Sequence, residues 1–432
     1  MDLTVANPTA DEALLARRLA VLGPAYRTFY DRPLHLVRGK GVRLWDAAGR
    51  EYLDVYNNVP SVGHCHPRVV AALTEQAATL NTHTRYLHET VVTYAERLVA
   101  LFPEALSQAM FTCTGSEAND LAIRIARTAT GNAGFIVVEN AYHGVTASVA
   151  EMSPSLGSAV TIGDHVRVVP SPDTYRLGAA TMAERFTASV EAAIASLVEA
   201  GMKPAAILFD TVFASDGLFL DPPGFVADAV AAVRAAGGLY IADEVQSGLG
   251  RPGAHMWAFE RHGVVPDLVT LGKPMGDGHP IAALVARPDL LAEFGRKTRY
   301  FNTFGGNPVS AAVGLAVLDV IRDEALMQNA HDVGAYLLDG LQAVAGRHPV
   351  IGDVRGAGLY AAVELVSDPR EKTPAADLNL RLQNVLRDRG VLVGSCGRFA
   401  NCLKIRPPLP FGRGDADEFL DALDGALTEI AV

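Results

Sequence analysis

The sequence predicts an α/β protein whose large domain is built around a mostly parallel sheet, followed by a smaller α+β domain. Between about residue 65 and residue 320, short apolar runs alternate with segments that carry apolar residues at helical spacing. Continuous apolar strands separated by helices indicate a parallel sheet that is covered on both faces. The 432-residue chain also exceeds the usual size of a single hydrophobic core. The seven candidate strands are QAMFTC, GFIVVEN, VRVVP, AAILFD, GLYIADEV, DLVTLG and IAALVA.

The remaining segments predict a three-part organisation. Residues 1–64 form an N-terminal segment, with a short amphipathic helix at residues 11–22 and a small hairpin sheet in VRGKGVRLWDAAGREYLDVYNN. Residues 65–324 form the large domain, in which HPRVVAALTEQAATL, VVTYAERLVALF and EANDLAIRIARTATG read as helices. Residues 325–432 form a small domain that ends in the helix DADEFLDALDGALTEI.

The composition indicates a soluble enzyme-sized protein and disfavours several other classes. The formal net charge of −11 argues against a nucleic-acid partner, because binding to phosphate backbones needs a basic surface. No apolar run is long enough to span a bilayer, and the N-terminus lacks the pattern of a signal peptide. Cys65, Cys113, Cys396 and Cys402 are too few and too irregularly spaced for a disulfide framework or a zinc site. We therefore expect a cytoplasmic protein with reduced thiols, without a metal and without a membrane partner.

One glycine-rich stretch, SGLGRPG, matches a dinucleotide-binding pattern but predicts it only weakly. Gly248, Gly250 and Gly253 satisfy G-x-G-x-x-G, and an acidic residue, Asp267, lies downstream. The glycines do not follow the strand directly, however, because two carboxylates stand between them. Carboxylates are electrostatically unfavourable beside a pyrophosphate, so a nicotinamide cofactor is disfavoured.

Two ionisable residues stand where two apolar strands end. Asp243 ends the strand GLYIAD, and ligands of open α/β sheets bind at the carboxyl ends of strands, although a helix cap or a loop salt bridge is the commoner use of such an Asp. Lys273 follows the strand DLVTLG and is held between Gly272 and Pro274. A lysine that serves solubility is expected on a solvated helix face, whereas a nucleophilic lysine needs a rigid, close-packed backbone.

Two turns and one aromatic residue are further candidates for ligand contacts. Thr114, Gly115 and Ser116 follow a strand and open a helix, where free N–H groups and the helix dipole favour a phosphate, although an ordinary N-cap gives the same pattern. Thr303, in FNTFGGNP, offers a second phosphate contact or a capped turn. Tyr142, in AYHG, follows a strand and could stack on a planar ring or belong to the core.

A lysine, a strand-end carboxylate, a phosphate cup and an aromatic ring are the parts that hold pyridoxal phosphate. The stretches TGSEAN, AYHG, IADEVQSGLGRPG, TLGKPMGDGHP and FNTFGGNP resemble, in order and spacing, the class III (omega) aminotransferases. The resemblance runs from about Leu36 to the C-terminus. It implies fold type I of the pyridoxal-phosphate enzymes, pyridoxal 5′-phosphate as the cofactor, and a ping-pong transfer of an amino group from an amine or amino acid to an oxo acid such as pyruvate or glyoxylate.

The resemblance also implies roles for individual residues. Lys273 would be the Schiff-base lysine and the general base, and Asp243 would pair with the pyridine nitrogen. Val245 would pack on the ring, with Gln246 near its hydroxyl group. The implied cofactor-binding residues are Gly115, Ser116, Tyr142, Asp243, Val245, Gln246, Lys273 and Thr303. Thr303 would reach the phosphate of a neighbouring subunit, so a homodimer or a dimer of dimers with shared active sites is expected.

Three stretches indicate a branch within the family. YNNVPSVGHCHP, NTHTRYLHE and GKPMGDGHP resemble most the subgroup that contains ethanolamine-phosphate phospho-lyase and mitochondrial alanine–glyoxylate aminotransferase. Relatives that act on ornithine or 4-aminobutyrate carry a Glu–Arg pair, and the matching positions here are Ser215 and Lys404. The missing pair argues against those two substrates.

The residues that bind the substrate remain open among a few candidates. Arg85 and Arg406 are candidates for binding its anionic group, with Lys404 as a point charge beside Arg406, while Arg85 serves equally well in a structural ion pair. Tyr56 and Asn57 are weaker candidates, because their segment resembles one that often lines the substrate pocket of relatives. Because aminotransferases dominate the family, we predict transamination. The alternative is a phospho-lyase that releases ammonia and phosphate from a phosphorylated amine, and a non-catalytic cofactor-binding protein ranks well below both.

Overall fold

A computed structural model describes residues 9–430 of the chain. The described N-terminal part contains helix α1 (Ala10–Val21) and the antiparallel strands β1 (Leu36–Lys40), β2 (Arg43–Asp46) and β3 (Glu51–Asp54). Thr9 and Glu12 cap the first turn of α1 reciprocally. A helix and a small antiparallel sheet thus occur where the sequence predicts them, although α1 buries none of its residues. Residues 1–8 lie outside the described part.

The seven predicted strands form one sheet. They are β4 (Gln108–Thr112), β5 (Gly134–Val138), β6 (Val166–Val169), β7 (Pro204–Asp210), β8 (Leu239–Asp243), β9 (Leu268–Leu271) and β10 (Ala282–Ala286), in the order β4-β10-β9-β8-β7-β5-β6. Neighbours from β9 to β6 are parallel, but β10 is antiparallel to both β4 and β9. The segment between β9 and β10 is short and contains one turn of 3-10 helix (Lys273–Gly276). A parallel connection needs a crossover of about a dozen residues or more, usually an α-helix.

Helices cover both faces of this sheet. They are α2 (Pro67–Thr79), α3 (Glu89–Val99), α4 (Gly115–Thr130), α5 (Ala147–Ala150), α6 (Thr174–Leu177), α7 (Met182–Glu199), α8 (Ala227–Ala235), α9 (Pro288–Lys297) and α10 (Pro308–Asp323). Alternate residues of one strand enter different cores, with Phe135 and Val137 in one, and Ile136 and Val138 in the other. The sheet is therefore buried on both sides, as its continuous apolar strands predict.

The C-terminal part is a second mixture of helices and strands. It contains α11 (Leu326–Ala345), α12 (Ala376–Asp388) and α13 (Arg413–Ile430), with β11 (Ile351–Ala357), β12 (Tyr360–Asp368), β13 (Thr373–Pro374), β14 (Val391–Leu392), β15 (Gly394–Cys396) and β16 (Cys402–Ile405). The antiparallel order is β11-β12-β16-β15, and β13 pairs with β12. Strand β14 instead pairs in parallel with β3, so the N-terminal sheet is completed by the C-terminal part. The boundaries at residues 64 and 324 stay a prediction.

No helix within residues 9–430 has the length and apolar character needed to cross a membrane. Within the same residues, no group of three or more histidine, cysteine, aspartate or glutamate side chains is arranged to hold a metal ion.

Candidate active site

A cavity of about 330 Å³ lies where strands β4, β8 and β9 end. Of the sequence-predicted cofactor residues, those that line it are Gly115, Ser116, Tyr142, Asp243, Val245, Gln246 and Lys273. The fold thus brings together, at the carboxyl ends of neighbouring strands, residues that are far apart in the sequence.

Lys273 is held in a restricted backbone setting directly after β9. Its φ of 25° is positive, which side-chain-bearing residues seldom adopt. A Cβ added to the preceding residue, Gly272, would lie 3.2 Å from Cγ1 of Val245, so a glycine lets the strand end pack closely. The Nζ atom of Lys273 lies 5.9 Å from the centre of the Tyr142 ring.

The electrostatic setting of Lys273 favours the neutral amine. Burial lowers the pKa of Lys273, and the positive charge of Arg406 lowers this pKa further, against smaller opposing effects of Asp243 and Asp210. A neutral amine is the form that acts as a nucleophile or accepts a proton.

Asp243 is buried at the end of β8, and both of its carboxylate oxygens form hydrogen bonds. Its Oδ2 atom accepts a hydrogen bond from Nδ2 of Asn119 at 3.0 Å and lies 2.7 Å from Nδ1 of His143. Its Oδ1 atom accepts a hydrogen bond from the backbone N–H of Val245 at 3.1 Å. The carboxylate is thereby fixed at the cavity wall rather than used as a helix cap or in a loop salt bridge.

Sequence reasoning assigned no role to Asn119 and His143, the two side chains that hold Asp243. Asn119, in α4, also donates to the carbonyl of His143 at 2.8 Å, and its own Oδ1 accepts from Oγ1 of Thr270 at 2.7 Å. The Nε2 atom of His143 is buried and has no hydrogen-bond partner within the described residues. A buried Asn on the apolar face of α4 was the available signal, because buried polar side chains need partners.

The predicted phosphate cup lies at the N-terminus of α4. Thr114 caps this helix in a reciprocal pair with Glu117, so the capping interpretation holds for Thr114 itself. The next residues, Gly115 and Ser116, belong to the first turn, whose N–H groups have no partner inside the helix. Oγ of Ser116 accepts a hydrogen bond from the backbone N–H of Val145 at 3.1 Å, which joins the cup to the segment after β5.

Close packing shapes the walls of the cavity. A Cβ at Gly115 would lie 2.9 Å from Cγ1 of Val245, and a Cβ at Gly144 would lie 2.4 Å from Oγ of Ser116. These glycines therefore let two backbone segments and the side chain of Val245 meet around one space.

Gln246 connects this cavity with two of the candidates for substrate binding. Its Oε1 atom accepts hydrogen bonds from NH1 of Arg406 at 2.5 Å and from Nζ of Lys404 at 3.4 Å. Arg406 also donates to the carbonyl of Tyr56 at 3.0 Å, and its guanidinium lies 4.5 Å from the centre of the Tyr56 ring. Tyr56, Lys404 and Arg406 thus form one cluster beside the cofactor cavity.

The two cations of this cluster are buried without a carboxylate partner. Within residues 9–430, neither Lys404 nor Arg406 forms a salt bridge. Burial, helped by the charge of Arg406, lowers the pKa of Lys404 to about 7. The charges that oppose this shift come from Cys396 and Asp210, and Lys273 adds to it.

Arg85 and Thr303 lie away from this cavity. The guanidinium of Arg85 stacks 4.0 Å from the centre of the Phe301 ring and lines a separate cavity of about 520 Å³. Thr303 is exposed, two residues after Phe301. Within one chain, these two candidates do not meet Lys273, and a role of Thr303 at a neighbouring subunit stays a prediction.

The glycines of the dinucleotide-like pattern serve packing. A Cβ at Gly248 would lie 3.0 Å from the Trp257 ring, and a Cβ at Gly253 would lie 2.6 Å from the backbone of His331. The downstream acid, Asp267, is bound by two arginines, Arg234 and Arg287. Close packing against Trp257 and His331 therefore accounts for Gly248 and Gly253, and a bound nucleotide is not needed to explain them.

The cavity fits pyridoxal 5′-phosphate. A buried amine at Lys273, a fixed carboxylate at Asp243 and a helix N-terminus opened by Gly115 surround one space, with Tyr142 at its wall. Gly144, in the segment after β5, packs directly against Ser116 of the phosphate cup, and a side chain at residue 144 would collide with Ser116.

Comparison with known proteins agrees with this geometry. A family model described as Aminotransferase class-III matches residues 26–427. The chain is 41% identical over 422 residues to "Alanine--glyoxylate aminotransferase 2-like" of Drosophila melanogaster, covering 95% of this chain and 85% of that protein. It is 36% identical over 440 residues to "Ethanolamine-phosphate phospho-lyase homolog 1" of Caenorhabditis elegans, covering 96% and 93%. A solved phospholyase from Arthrobacter in complex with phosphoethanolamine is 47% identical, with a TM-score of 0.94 over 96% of this chain and 99% of that one.

Proposed function

The chain belongs to the class III aminotransferases, and we propose that within this family it removes phosphate and ammonia from a small phosphorylated amine. Membership confirms the resemblance drawn from the sequence, the fold type I architecture, an enzymatic role and pyridoxal 5′-phosphate as the cofactor. The substrate and the outcome of the reaction are the parts that we propose.

The observation that carries the proposal is the pair of buried cations, Lys404 and Arg406, which meet at Gln246 and form no salt bridge with any residue from 9 to 430. A buried uncompensated charge is costly, so this cluster favours an anion. A phosphate monoester carries about two negative charges near neutral pH, whereas a carboxylate carries one and balances only one of the two cations. The similarity to a phospholyase solved with phosphoethanolamine supports the same substrate class.

The residues divide the chemistry between them. The bound cofactor supplies an electron sink for the pair of electrons left when a proton leaves the carbon that bears the amine. Nζ of Lys273 takes that proton, and the carboxylate of Asp243 keeps the pyridine nitrogen protonated. Lys404 and Arg406 hold the phosphate on the adjacent carbon as its C–O bond breaks. With one water, the products are phosphate, ammonia and a carbonyl compound.

Transamination is the second candidate, as the sequence prediction had it. The similarity to a protein named as an alanine–glyoxylate aminotransferase favours it, and Lys273 and Asp243 serve both reactions equally. In that case an oxo acid such as pyruvate or glyoxylate accepts the amino group, and its carboxylate pairs with Arg406.

A homodimer with shared active sites is part of the proposal. The segment that carries Thr303 is exposed, with 70% of Phe304 accessible, and Leu87 is fully accessible at 100%. Large exposed apolar side chains in neighbouring segments are typical of an interface. The cytoplasmic location and the lack of nucleic-acid or membrane partners stay predictions from composition.

One experiment without an amino-group acceptor separates the two reactions. The holoenzyme is mixed with phosphoethanolamine or with alanine, without any oxo acid, while cofactor absorbance, ammonia and inorganic phosphate are measured. Equal amounts of ammonia and phosphate over many turnovers support the phospho-lyase. A lasting change of absorbance without ammonia, reversed by pyruvate or glyoxylate, supports the transaminase and overturns the leading proposal. Lys273→Ala is the control that shows neither.

A further inference from the structure

Cys396 and Cys402 lie directly opposite each other on the antiparallel strands β15 and β16. Opposite residues of an antiparallel pair have Cα atoms about 4.5–5.5 Å apart, and a disulfide bridges Cα atoms that are roughly 4.4–6.8 Å apart. Their side chains leave the same face of the sheet, since residues in register share a face. Both cysteines are buried, and both are reduced.

The two thiols are unequal in a way that suits thiol chemistry. The neighbouring thiol of Cys402, together with the charges of Lys404, Arg355 and Arg406, lowers the pKa of Cys396 against the effect of burial. The same interaction and burial raise the pKa of Cys402. Of the two thiols, Cys396 is therefore the one whose pKa is shifted toward the thiolate, which is the reactive form.

A path for a small oxidant leads to Cys402 and to Gly397, the residue that follows Cys396. Cys402 lines a cavity of about 290 Å³ that is separate from the cofactor cavity, together with Arg355, Phe219 and Asp216. The NH2 atom of Arg355 lies 3.4 Å from Sγ of Cys402. A cavity of this size admits a hydroperoxide but not a folded redox protein.

We propose that Cys396 and Cys402 are a redox-active dithiol, and that their oxidation to a disulfide weakens anion binding at Lys404. A hydroperoxide transfers one oxygen to the Cys396 thiolate, which becomes a sulfenic acid as the O–O bond breaks. The sulfur of Cys402 then attacks Cys396, the S–S bond forms, and water leaves. Two electrons pass from the two thiols to the peroxide, and a dithiol reductant reverses the change.

Two contacts connect the pair with the substrate cluster. Lys404 follows Cys402 by two residues in β16, so it lies on the same face, and the negative charge of Cys396 raises the pKa of Lys404. Gly394 is in register with Lys404, and a Cβ at Gly394 would lie 2.3 Å from the Tyr56 ring. The other charged groups that act on Lys404 are Arg406, Asp210 and Lys273. Oxidation removes the negative charge of Cys396, which helps to keep Lys404 protonated. It also links the two strands that carry the cluster.

The test treats the full-length holoenzyme with hydrogen peroxide at about pH 7.5, where a thiol with a lowered pKa is more ionised than a free thiol. The peroxide is added in steps up to about a tenfold molar excess over the protein. Intact mass and peptide mapping of non-reduced digests then locate any disulfide. We expect the loss of two hydrogen atoms per chain, a Cys396–Cys402 link, and a several-fold rise in KM for an anionic substrate with a smaller change in kcat. Dithiothreitol restores the original mass and KM.

The matched variants are Cys396→Ser, which cannot form the link, and Cys65→Ser, which removes an exposed cysteine and keeps the pair. Cys396→Ser is expected to keep its KM under peroxide, whereas Cys65→Ser responds like the parent. If Cys396→Ser does not fold, mass and mapping of the parent still decide the matter. Oxidation confined to Cys65 or Cys113 overturns the dithiol, and a Cys396–Cys402 link that leaves KM unchanged overturns its coupling to Lys404. The mass readout is independent of the proposed substrate.

Discussion

The Nδ1 atom of His143 lies 2.7 Å from Oδ2 of Asp243, and the His143 side chain is fully buried. A carboxylate has no proton to offer, so the ring nitrogen is the donor. Asn119 donates to the same oxygen at 3.0 Å, which leaves the carboxylate little freedom to turn. The acid at the cavity is thus held in place by protein groups, and its negative charge is supported by hydrogen bonds.

Asp243→Asn is expected to keep the cofactor bound but to lower kcat by about 10²-fold or more, on the scale of general acid–base contributions. An amide cannot hold a proton on the pyridine nitrogen by charge, so the electron sink is weakened. Cofactor content is measured by absorbance after gel filtration, and kcat with the best substrate found. Turnover equal to that of the parent contradicts the role given to Asp243.

Asn119→Ala removes a side chain that connects Asp243, the carbonyl of His143 and Thr270. Because buried partners are left unsatisfied, we expect the free energy of unfolding to fall by about 1–3 kcal/mol. We also expect kcat to fall while KM changes little. Denaturant titration and steady-state kinetics measure both quantities.

Thr270→Val supplies the comparison, because Thr270 touches Asn119 and not Asp243 in this network. If Asn119 and Thr270 belong to one network, the double variant loses less free energy of unfolding than the sum of the losses in the two single variants. Additive losses would contradict a shared network.

Gly144→Ala is expected to reduce retention of the cofactor strongly. Its Cβ would lie 2.4 Å from Oγ of Ser116, and its φ of 137° is unfavourable for alanine. Gly157→Ala separates collision from strain, because Gly157 has a φ of 105° and no atom within 4 Å of the added Cβ. Retention is measured by dialysis and absorbance. Equal losses in the two variants would mean that strain alone is responsible.

The pH dependence of substrate capture is predicted from Lys404. Because its pKa in the folded chain is lowered to about 7, Lys404 is charged below that pH and neutral above it. A phosphate monoester becomes a dianion above about pH 6. We therefore expect kcat/KM for phosphoethanolamine to be highest between about pH 6 and pH 7 and to fall as the pH rises further.

Two variants test this assignment. Lys404→Arg keeps a positive charge at high pH, so its kcat/KM is expected to fall less above pH 7. Lys404→Met has no charge to lose, so its kcat/KM is expected to be low already at about pH 6.5 and to change little as the pH rises. An unchanged profile in both variants would assign the alkaline fall to another group.

The lowered pKa of Lys404 also makes the free energy of unfolding depend on pH. The unfolded chain keeps its lysine protonated to about pH 10, so the free energy of unfolding contributed by Lys404 rises between about pH 7 and pH 10.

Lys273→Ala is expected to lower turnover by at least about 10³-fold, since both the nucleophile and the base are lost. Circular dichroism and thermal unfolding check that the fold is retained. Lys297→Ala is the control, because Lys297 lies at the end of α9 with 57% of its side chain exposed. Comparable activity in Lys273→Ala and the parent would remove the basis of the assignment.

The sequence by itself determined the strands of the central sheet and pointed to Lys273 and Asp243 at the ends of two of them. All seven strands of the central sheet and the capped start of α4 follow from patterns within short windows, because periodicity and capping depend on near neighbours. Strand β11 was not predicted, since IGDVRGA has neither a continuous apolar run nor clean alternation. Lys273 and Asp243 were found because each ends an apolar strand, which is a local feature.

Only the tertiary structure decided how distant residues converge. Asn119 meets Asp243 across 124 positions of sequence, and Gln246 meets Arg406 across 160. The same folding takes Arg85 to Phe301 and away from Lys273. Such contacts depend on strand order and helix packing, and a side chain at a given position carries no local record of the partner that those will bring to it.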